Sequence, residues 1–316
     1  MNPIDCSIII PTFNTCDVTL QCIENLRQTP PSISHEIIVV DNNSMDGTAS
    51  RVARAFPDIK ILANPANLGF SKACNRAADI ARGRFLCFLN SDTINTGKAI
   101  DQLAAWLTAH PTTGIVGPEL CAPDGRLIQM SWVWNPILAG ELFQQYLAPY
   151  SLRTSAFKRR IVSWLQRESR HVSIICGACL MIRREAYDAI RGFDENFELY
   201  FEDSDLCYRC RQAGWEIFFV AQAKVTHHLG HSSRGKGDWN ATSLIYQQSH
   251  LTYYRKHASR FAVGLLKIYL LLKWLRLSYR SWVEKSGRER SGPYVKAYLR
   301  IICEREKVTL RQGIPR

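Results

Sequence analysis

No repeat and no low-complexity segment divides this 316-residue chain, and none of its apolar runs reaches the roughly 18 uncharged residues wanted for a transmembrane helix. Residues 261–277 come nearest, but Lys267 and Lys273 interrupt them. Lys273, Arg276 and Arg280 share one helical face while leucines and Trp274 occupy most of the rest, the pattern of a helix lying in a membrane interface. A C-terminal helix packed on the core is the other reading. Acidic residues are scarce in this tail. Residues 261–316 hold 13 Lys/Arg against 4 Asp/Glu, which is +9 of the total +12, whereas residues 1–260 hold 27 against 24. The first 260 residues lack a basic groove, and the tail alternates charge with leucines rather than with stacking aromatics. Both features argue against nucleic acid and for an anionic membrane face as partner.

No signal peptide is expected, because the first strand already begins near Cys6. The eleven cysteines are an odd number, several of them inside apolar runs, and reduced thiols of the cytoplasm suit them better than disulfides. Two Cys-x-x-Cys pairs, Cys176/Cys179 and Cys207/Cys210, raise the question of zinc. They stand 27 residues apart, against roughly 15–20 in the usual zinc pattern. Buried small thiols account for them as well.

What is present is an alternation. Apolar runs at residues 7–10, 37–40, 60–62 and 85–89 are each bounded by Pro, Asn or Asp, with helix-length stretches near 17–27, 46–55, 70–81 and 98–109. Strands apolar throughout and separated by helices predict an α/β domain whose mostly parallel sheet is covered on both faces. Residues 132–170 have another texture, aromatic and aliphatic with Lys158, Arg159, Arg160 and Arg167, read as an amphipathic helical insertion that rests on a membrane, lips an acceptor site or packs on the core. Strand and helix patterns return from Val172. The expected organisation is a catalytic domain over residues 1–235 and a basic, helical, membrane-associating region over residues 236–316.

The candidate chemistry lies at strand ends. Pro11, Thr12 and Asn14 follow the first strand and Asp41 closes the second, where an acidic residue can accept hydrogen bonds from a base or ribose; Asp-Asn-Asn-Ser is also an ordinary turn. Asn67 and Gly69 precede a helix bearing Lys72, and glycine there permits close approach of a phosphate to the helix start. Asn90, Ser91 and Asp92 close the run 85–89, placing a carboxylate where a divalent ion bound to a diphosphate would need one. A second acidic cluster, Glu202, Asp203 and Asp205, offers a proton acceptor.

In order, Ser7-Ile-Ile-Ile-Pro-Thr-Phe-Asn14, Ile38-Val-Val-Asp-Asn-Asn-Ser44, Asn67-Leu-Gly-Phe70, Phe88-Leu-Asn-Ser-Asp92 and Phe201-Glu-Asp-Ser-Asp-Leu206 resemble the family 2 inverting glycosyltransferases, most closely their bacterial rhamnosyltransferase-like branch. The resemblance covers about residues 5–235. It implies a GT-A fold, with C-terminal amphipathic helices outside it, and transfer of a sugar from a nucleotide-diphospho-sugar. The leading donor is dTDP-rhamnose, other UDP- or GDP-sugars being the alternative. The acceptor implied is a saccharide or polyprenyl-diphosphate-linked glycan at the inner face of a bacterial membrane. Residue by residue, it implies that Asp41, Thr12 and Asn14 line the nucleotide pocket with Pro11. Asn67, Gly69 and Lys72 would border the phosphates, with Asn90 and Ser91 beside the donor. Asp92 is the last position of an Asp-x-Asp motif whose first position is Asn90 here, and His227, with His228 adjacent, matches a histidine near Mg²⁺ or Mn²⁺. Asp203 matches the catalytic base, with Glu202 and Asp205 as nearby alternatives. Gly177 and Ala178 fall beside the sugar and acceptor, as does Glu202. Arg183 and Arg184 would either meet an anionic acceptor or simply start a helix, and residues 230–233 would form a flap. The substituted metal motif keeps a non-catalytic nucleotide-sugar-binding scaffold as the rival class.

Overall fold

The computed structural model describes residues 4–96, 98–125, 127–128, 131–132, 167–228, 239–283, 299 and 301–303. The body of the insertion, the expected flap at 230–233 and the end of the tail lie outside them. The first half follows the alternation closely: β1 (Cys6–Thr12), α1 (Cys16–Gln28), β2 (His35–Asp41), α2 (Thr48–Ala55), β3 (Lys60–Ala63), α3 (Phe70–Ile80), β4 (Phe85–Leu89), β5 (Thr93–Thr96), α4 (Ala99–Ala109) and β6 (Thr113–Cys121). Next come β7 (Leu127–Ile128), β8 (Ser131–Trp132), β9 (Arg170–His171), β10 (Ile174–Ile175), β11 (Cys179–Arg183), α5 (Arg184–Ala189), α6 (Glu202–Gln212), β12 (Glu216–His227), α7 (Trp239–His257) and α8 (Arg260–Val283). The ends of the expected helical insertion are therefore short strands, β8 and β9.

One sheet runs in the order β3-β2-β1-β4-β11-β6-β12-β5. The four strands β3, β2, β1 and β4 are mutually parallel, so Thr12, Asp41 and Ala63 end in register and Leu89 ends on the same edge. The second half is mixed: β11 is wedged antiparallel between β4 and β6, and its first residue, Cys179, pairs with Leu89. An antiparallel neighbour starts where its partner ends, so residues 176–178 arrive at the edge on which β1, β2 and β4 finish. That is the edge where such sheets bind ligands.

Both faces are covered. On one, α1 and α4 bury Ile23, Leu26, Leu103 and Leu107 against Ile8, Ile10 and Cys87; on the other, α3, α5 and α6 bury Ala73, Ala77, Tyr187 and Leu206 against Ile9, Val40 and Phe88. Apolar strands with no polar face require this. Pro11 is tolerated within β1 because its pairing with β4 stops at Ile9. A third, smaller cluster joins α7 and α8 through Leu251, Tyr254, Leu266 and Leu270, and it takes in Phe197 from the segment ahead of α6. No helix among the described residues is long and apolar enough to cross a membrane.

Candidate functional site

At the end of β1 the hydroxyls of Thr12, Thr15 and Thr19 form a buried cluster, with 2.8 Å between Thr12 and Thr15 and 2.9 Å between Thr12 and Thr19. Thr15 Oγ1 reaches Ser91 Oγ at 3.2 Å, tying β1 to the turn after β4. Asn14 holds a left-handed φ of 52°, and its Oδ1 accepts from the Met45 amide at 2.7 Å while Ser44 Oγ accepts from the Asn14 amide at 2.9 Å. Asp41 is buried, its carboxylate accepting the Ser44 amide at 3.2 and 3.3 Å, so it closes the turn expected of its sequence while standing on the ligand edge.

Gly69 begins α3 with φ +80°, and a Cβ there would come within 2.9 Å of the Glu198 carbonyl. Asn67 Oδ1 accepts the Gly69 amide, and the Phe70 amide donates to Glu198 O at 3.1 Å. Sequence reasoning missed the support behind this loop. Asn42 Nδ2 donates to Gly69 O, Asn64 donates to Asn42, and Arg76 donates to Asn64. Only the fold brings those residues together. Lys72 departs from expectation: it is exposed on α3 and lies 3.7 Å from the Glu195 carboxylate, an anion that competes with any phosphate for it.

Asn90 donates its amide to Ala178 O at 2.9 Å, fastening the turn after β4 to the loop ahead of β11. Asp92, buried, lies 3.2 Å from His227 Nε2 at the end of β12, and His228 adds a backbone bond from its amide to Asp92 O. The Nδ1 of His227 is buried without a hydrogen-bond partner among the described residues. A carboxylate oxygen 3.2 Å from one imidazole nitrogen is a mixed oxygen and nitrogen set, which suits Mn²⁺ better than Mg²⁺. Among the described residues no group of three His, Cys, Asp or Glu side chains that could hold a metal ion is present, so an ion bound here would need diphosphate oxygens as well.

The second acidic cluster opens α6. Tyr200 and Phe201, with φ of 68° and 65°, form a left-handed corner that nothing in their sequence foretells, since neither is Gly or Asn. Glu202 and Asp203 follow in the first turn, where the helix N-terminus favours negative charge. Asp203 is half-buried; Oδ2 accepts the Gly177 amide at 3.0 Å and Oδ1 accepts the Ser204 amide at 2.6 Å. Burial pushes its carboxyl above the ordinary Asp value, and these bonds offset part of the rise. Glu202 is buried, its Oε2 is without a partner among the described residues, and burial plus the Asp203 charge raise its carboxyl to about 8. Near neutral pH Glu202 therefore keeps its proton.

These acids share one neighbourhood. The Cys176 thiol is pushed up to about 12 by burial and then by the charges of Asp203, Glu202 and Asp92 together. Gly177 packs between Asp203 and Phe70, so the loops ahead of α3, β11 and α6 meet.

Other expectations separate from the site. Both oxygens of Asp205 are taken by hydrogen bonds, to Arg209, Lys256 and His257, which leaves it no role as the proton acceptor. Arg183 and Arg184 lie at the far end of β11, on the opposite edge of the sheet. Arg183 donates to Thr113 O and Leu107 O, and Arg184 to Gly83 O and Ala81 O, so they serve backbone carbonyls rather than an acceptor. Of the paired cysteines, Cys207 bonds its thiol to Ile175 O, and burial raises Cys210 to about 12.

The model of Glycosyl transferase family 2 matches residues 7–191, and that of the N-terminal domain of galactosyltransferase matches residues 162–232. The chain is 30% identical over 291 residues to the N-acetylglucosaminyl-diphospho-decaprenol L-rhamnosyltransferase of Mycobacterium tuberculosis, covering 88% of each chain. Among solved structures it is similar to the mannosyltransferase PcManGT from Pyrobaculum calidifontis in complex with GDP-Man and Mn²⁺, with TM-score 0.57 and 17% identity over 97% of this chain and 89% of that one. It is also similar to GalNAc-T7 with UDP, GalNAc and Mn²⁺, with TM-score 0.58 and 15% identity over 80% of this chain and 48% of that one. The sheet order and strand-end loops are those of a GT-A fold, and the chain belongs to glycosyl transferase family 2.

Proposed function

We propose that this glycosyltransferase is an inverting, metal-dependent enzyme moving rhamnose from dTDP-rhamnose to a polyprenyl-diphosphate-linked saccharide in cell-surface glycan synthesis. The observation that carries the reading is the convergence of Asp203 and the Asp92–His227 pair on one sheet edge, linked through Asn90, Ala178 and Gly177. The mycobacterial relative, named for rhamnose and a decaprenol-linked N-acetylglucosamine, supports the choice of sugar and acceptor.

In this reading Pro11, Thr12, Asn14 and Asp41 line the nucleotide side, while Asn67, Gly69, Asn90 and Ser91 border the diphosphate. Lys72 would reach it only by leaving Glu195. Asp92 and His227 would hold Mn²⁺ or Mg²⁺, whose charge offsets that of the diphosphate. Asp203 takes the proton of the acceptor hydroxyl as that oxygen forms a bond to the anomeric carbon. The bond to the nucleoside diphosphate breaks on the opposite side, and the electron pair leaves with the phosphate. A carboxyl raised by burial is a stronger base than a free one, and the amides of Gly177 and Ser204 aim it. Glu202, held neutral, adds no competing charge and borders the sugar with Gly177 and Ala178.

The reading extends to the membrane, with residues 1–235 as the catalytic unit and residues 236–316 as the region that meets lipid. On α8, Phe261, Ile268, Leu272, Leu275 and Tyr279 form an exposed stripe at helical spacing, whereas Leu266 and Leu270 point into the protein. Exposed Arg260 and Arg276 accompany the stripe, suiting a helix that lies in an anionic interface at the inner face.

Asp203→Asn should lose sugar transfer while still binding dTDP, measured with dTDP-rhamnose and a polyprenyl-diphosphate-linked N-acetylglucosamine. Full transfer by that variant would remove Asp203 from the reaction. Equal protection by all nucleotide sugars in thermal unfolding would remove the preference for dTDP-rhamnose.

A further inference from the structure

Asp205 is fully buried, yet it carries a charge. Its Oδ2 accepts from Arg209 Nε at 2.7 Å, on its own helix, and its Oδ1 accepts from Lys256 Nζ at 2.6 Å and His257 Nε2 at 2.7 Å, both from the last turn of α7. Burial alone would raise its carboxyl, but His257, Arg209 and Lys256 hold it below the ordinary Asp value. Lys256 also donates to Asp194 Oδ2 at 2.7 Å, so one ammonium bridges the segment leading into α6 and α6 itself. The His257 ring lies 4.2 Å from that of Tyr208 on α6 and 4.9 Å from that of Tyr253 on its own helix.

The rest of α7 grips the corner before α6. Ser249 Oγ donates to Leu199 O at 2.8 Å, and the His250 ring stacks on Phe201 at 4.9 Å and 8°. Tyr246 lies 5.5 Å from Tyr200 and 5.2 Å from Phe201. Two consecutive bulky residues with positive φ persist only where the surroundings over-determine them. Residues two apart on a helix point to nearly opposite sides. The turn thus presents Asp203 to the cleft while Asp205 is held from behind.

We infer that Lys256 and His257 are positioning residues for sugar transfer: through Asp205 they fix the first turn of α6, and with it the direction in which Asp203 faces the acceptor. This rests on the assignment of Asp203 as base. It adds a requirement that the base-bearing loop does not contain, supplied from about fifty residues downstream.

The test uses the full-length chain with dTDP-rhamnose and polyprenyl-diphosphate-linked N-acetylglucosamine, measuring kcat, donor KM, dTDP affinity by calorimetry and the thermal midpoint. Lys256→Met and His257→Leu should each lower kcat about tenfold or more while donor KM and dTDP affinity stay within about twofold, and Lys256→Arg should recover most of kcat. Wild-type kcat in both variants overturns the inference, as does a loss of dTDP affinity in proportion to kcat, which marks general damage. Should Lys256→Met fail to fold, His257→Leu, which removes one hydrogen bond and leaves Arg209 and Lys256 on the carboxylate, decides by the same criteria. Asp203→Asn is run beside them. If it transfers sugar normally, the base assignment fails and takes the inference with it. If it is inactive while the α7 variants turn over normally, the positioning role fails alone.

Discussion

His227 Nε2 and Asp92 Oδ1 stand 3.2 Å apart, although 135 residues separate them in the chain. β12 ends at His227 directly beside Thr93, the first residue of β5, and that antiparallel pairing brings the imidazole to the acid. If the pair ligates a divalent ion, His227→Ala and Asp92→Ala should each weaken Mn²⁺-dependent dTDP binding by roughly tenfold or more, about 1.4 kcal/mol. Titration calorimetry with and without Mn²⁺ reads this directly, and an unaltered Mn²⁺ effect in both variants would assign the ion elsewhere.

Proton transfer to Asp203 predicts an acid limb in the pH profile. The carboxyl must be ionised to work, and burial places it above the ordinary Asp value of 3.8. Transfer should therefore rise with pH through a midpoint above that value, measured as kcat/KM over a series of buffers. A midpoint at or below 3.8 contradicts the role given to burial.

Glu202 makes a separate statement about stability. Its carboxyl titrates at 4.5 when unfolded and at about 8 in the folded protein, so between these values the folded state keeps a proton that the unfolded state releases. Stability contributed by this group is complete below pH 4.5 and declines as pH climbs towards 8. Glu202→Gln should accordingly be more stable than the wild type at pH 7.5, by on the order of 1–3 kcal/mol, with the gap closing in acid. Denaturant unfolding at the two ends of the range provides the comparison. A gap that widens in acid has the wrong sign.

Gly69→Ala meets two obstacles, a φ of +80° and a Cβ 2.9 Å from Glu198 O. A loss of about 1–2 kcal/mol is expected from the backbone conformation alone. Because the same contact joins the loop before α3 to the loop before α6, dTDP affinity should fall together with the unfolding midpoint.

The stripe on α8 yields a fifth experiment. Leu272→Glu with Leu275→Glu places charge on two exposed leucines that lie outside the buried cluster of α7 and α8. Binding to vesicles rich in anionic lipid should drop sharply while the unfolding midpoint stays put. Unchanged sedimentation with vesicles would assign the stripe another partner.

The strands and helices up to α4 were legible, except β5, because each of the other strands is built on an apolar run bounded by Pro, Asn or Asp; the Thr-Ile-Asn-Thr of β5 carries no such run. Phe85–Leu89 and Asn90-Ser91-Asp92 illustrate how a run and its polar stop give both the element and its edge. Periodicity carries no strand order, so the antiparallel wedge of β11 went unseen, and with it the position of Arg183 and Arg184 on the opposite edge. Asp205 stood open as an alternative to Asp203 for a related reason: nothing in its local sequence shows the partners, Lys256 and His257, that reach it from α7. The left-handed corner at Tyr200 and Phe201 had no local signal, since aromatic side chains there are stabilised by tertiary stacking against Tyr246 and His250.

The irregularity in β12 has a mechanical result. Its pairing with β6 shifts between Val220 and Lys224. Ile217, Phe219 and Ala221 pack on the face with α3 and α6, whereas Ala223 and Val225 pack on the face with α1 and α4. The extra residues reverse the phase of the strand, and the later half inherits it as far as His227. Were the strand to slip by one residue against β6 and β5 beyond the bulge, every side chain from Lys224 on would change face and the imidazole would turn away from Asp92.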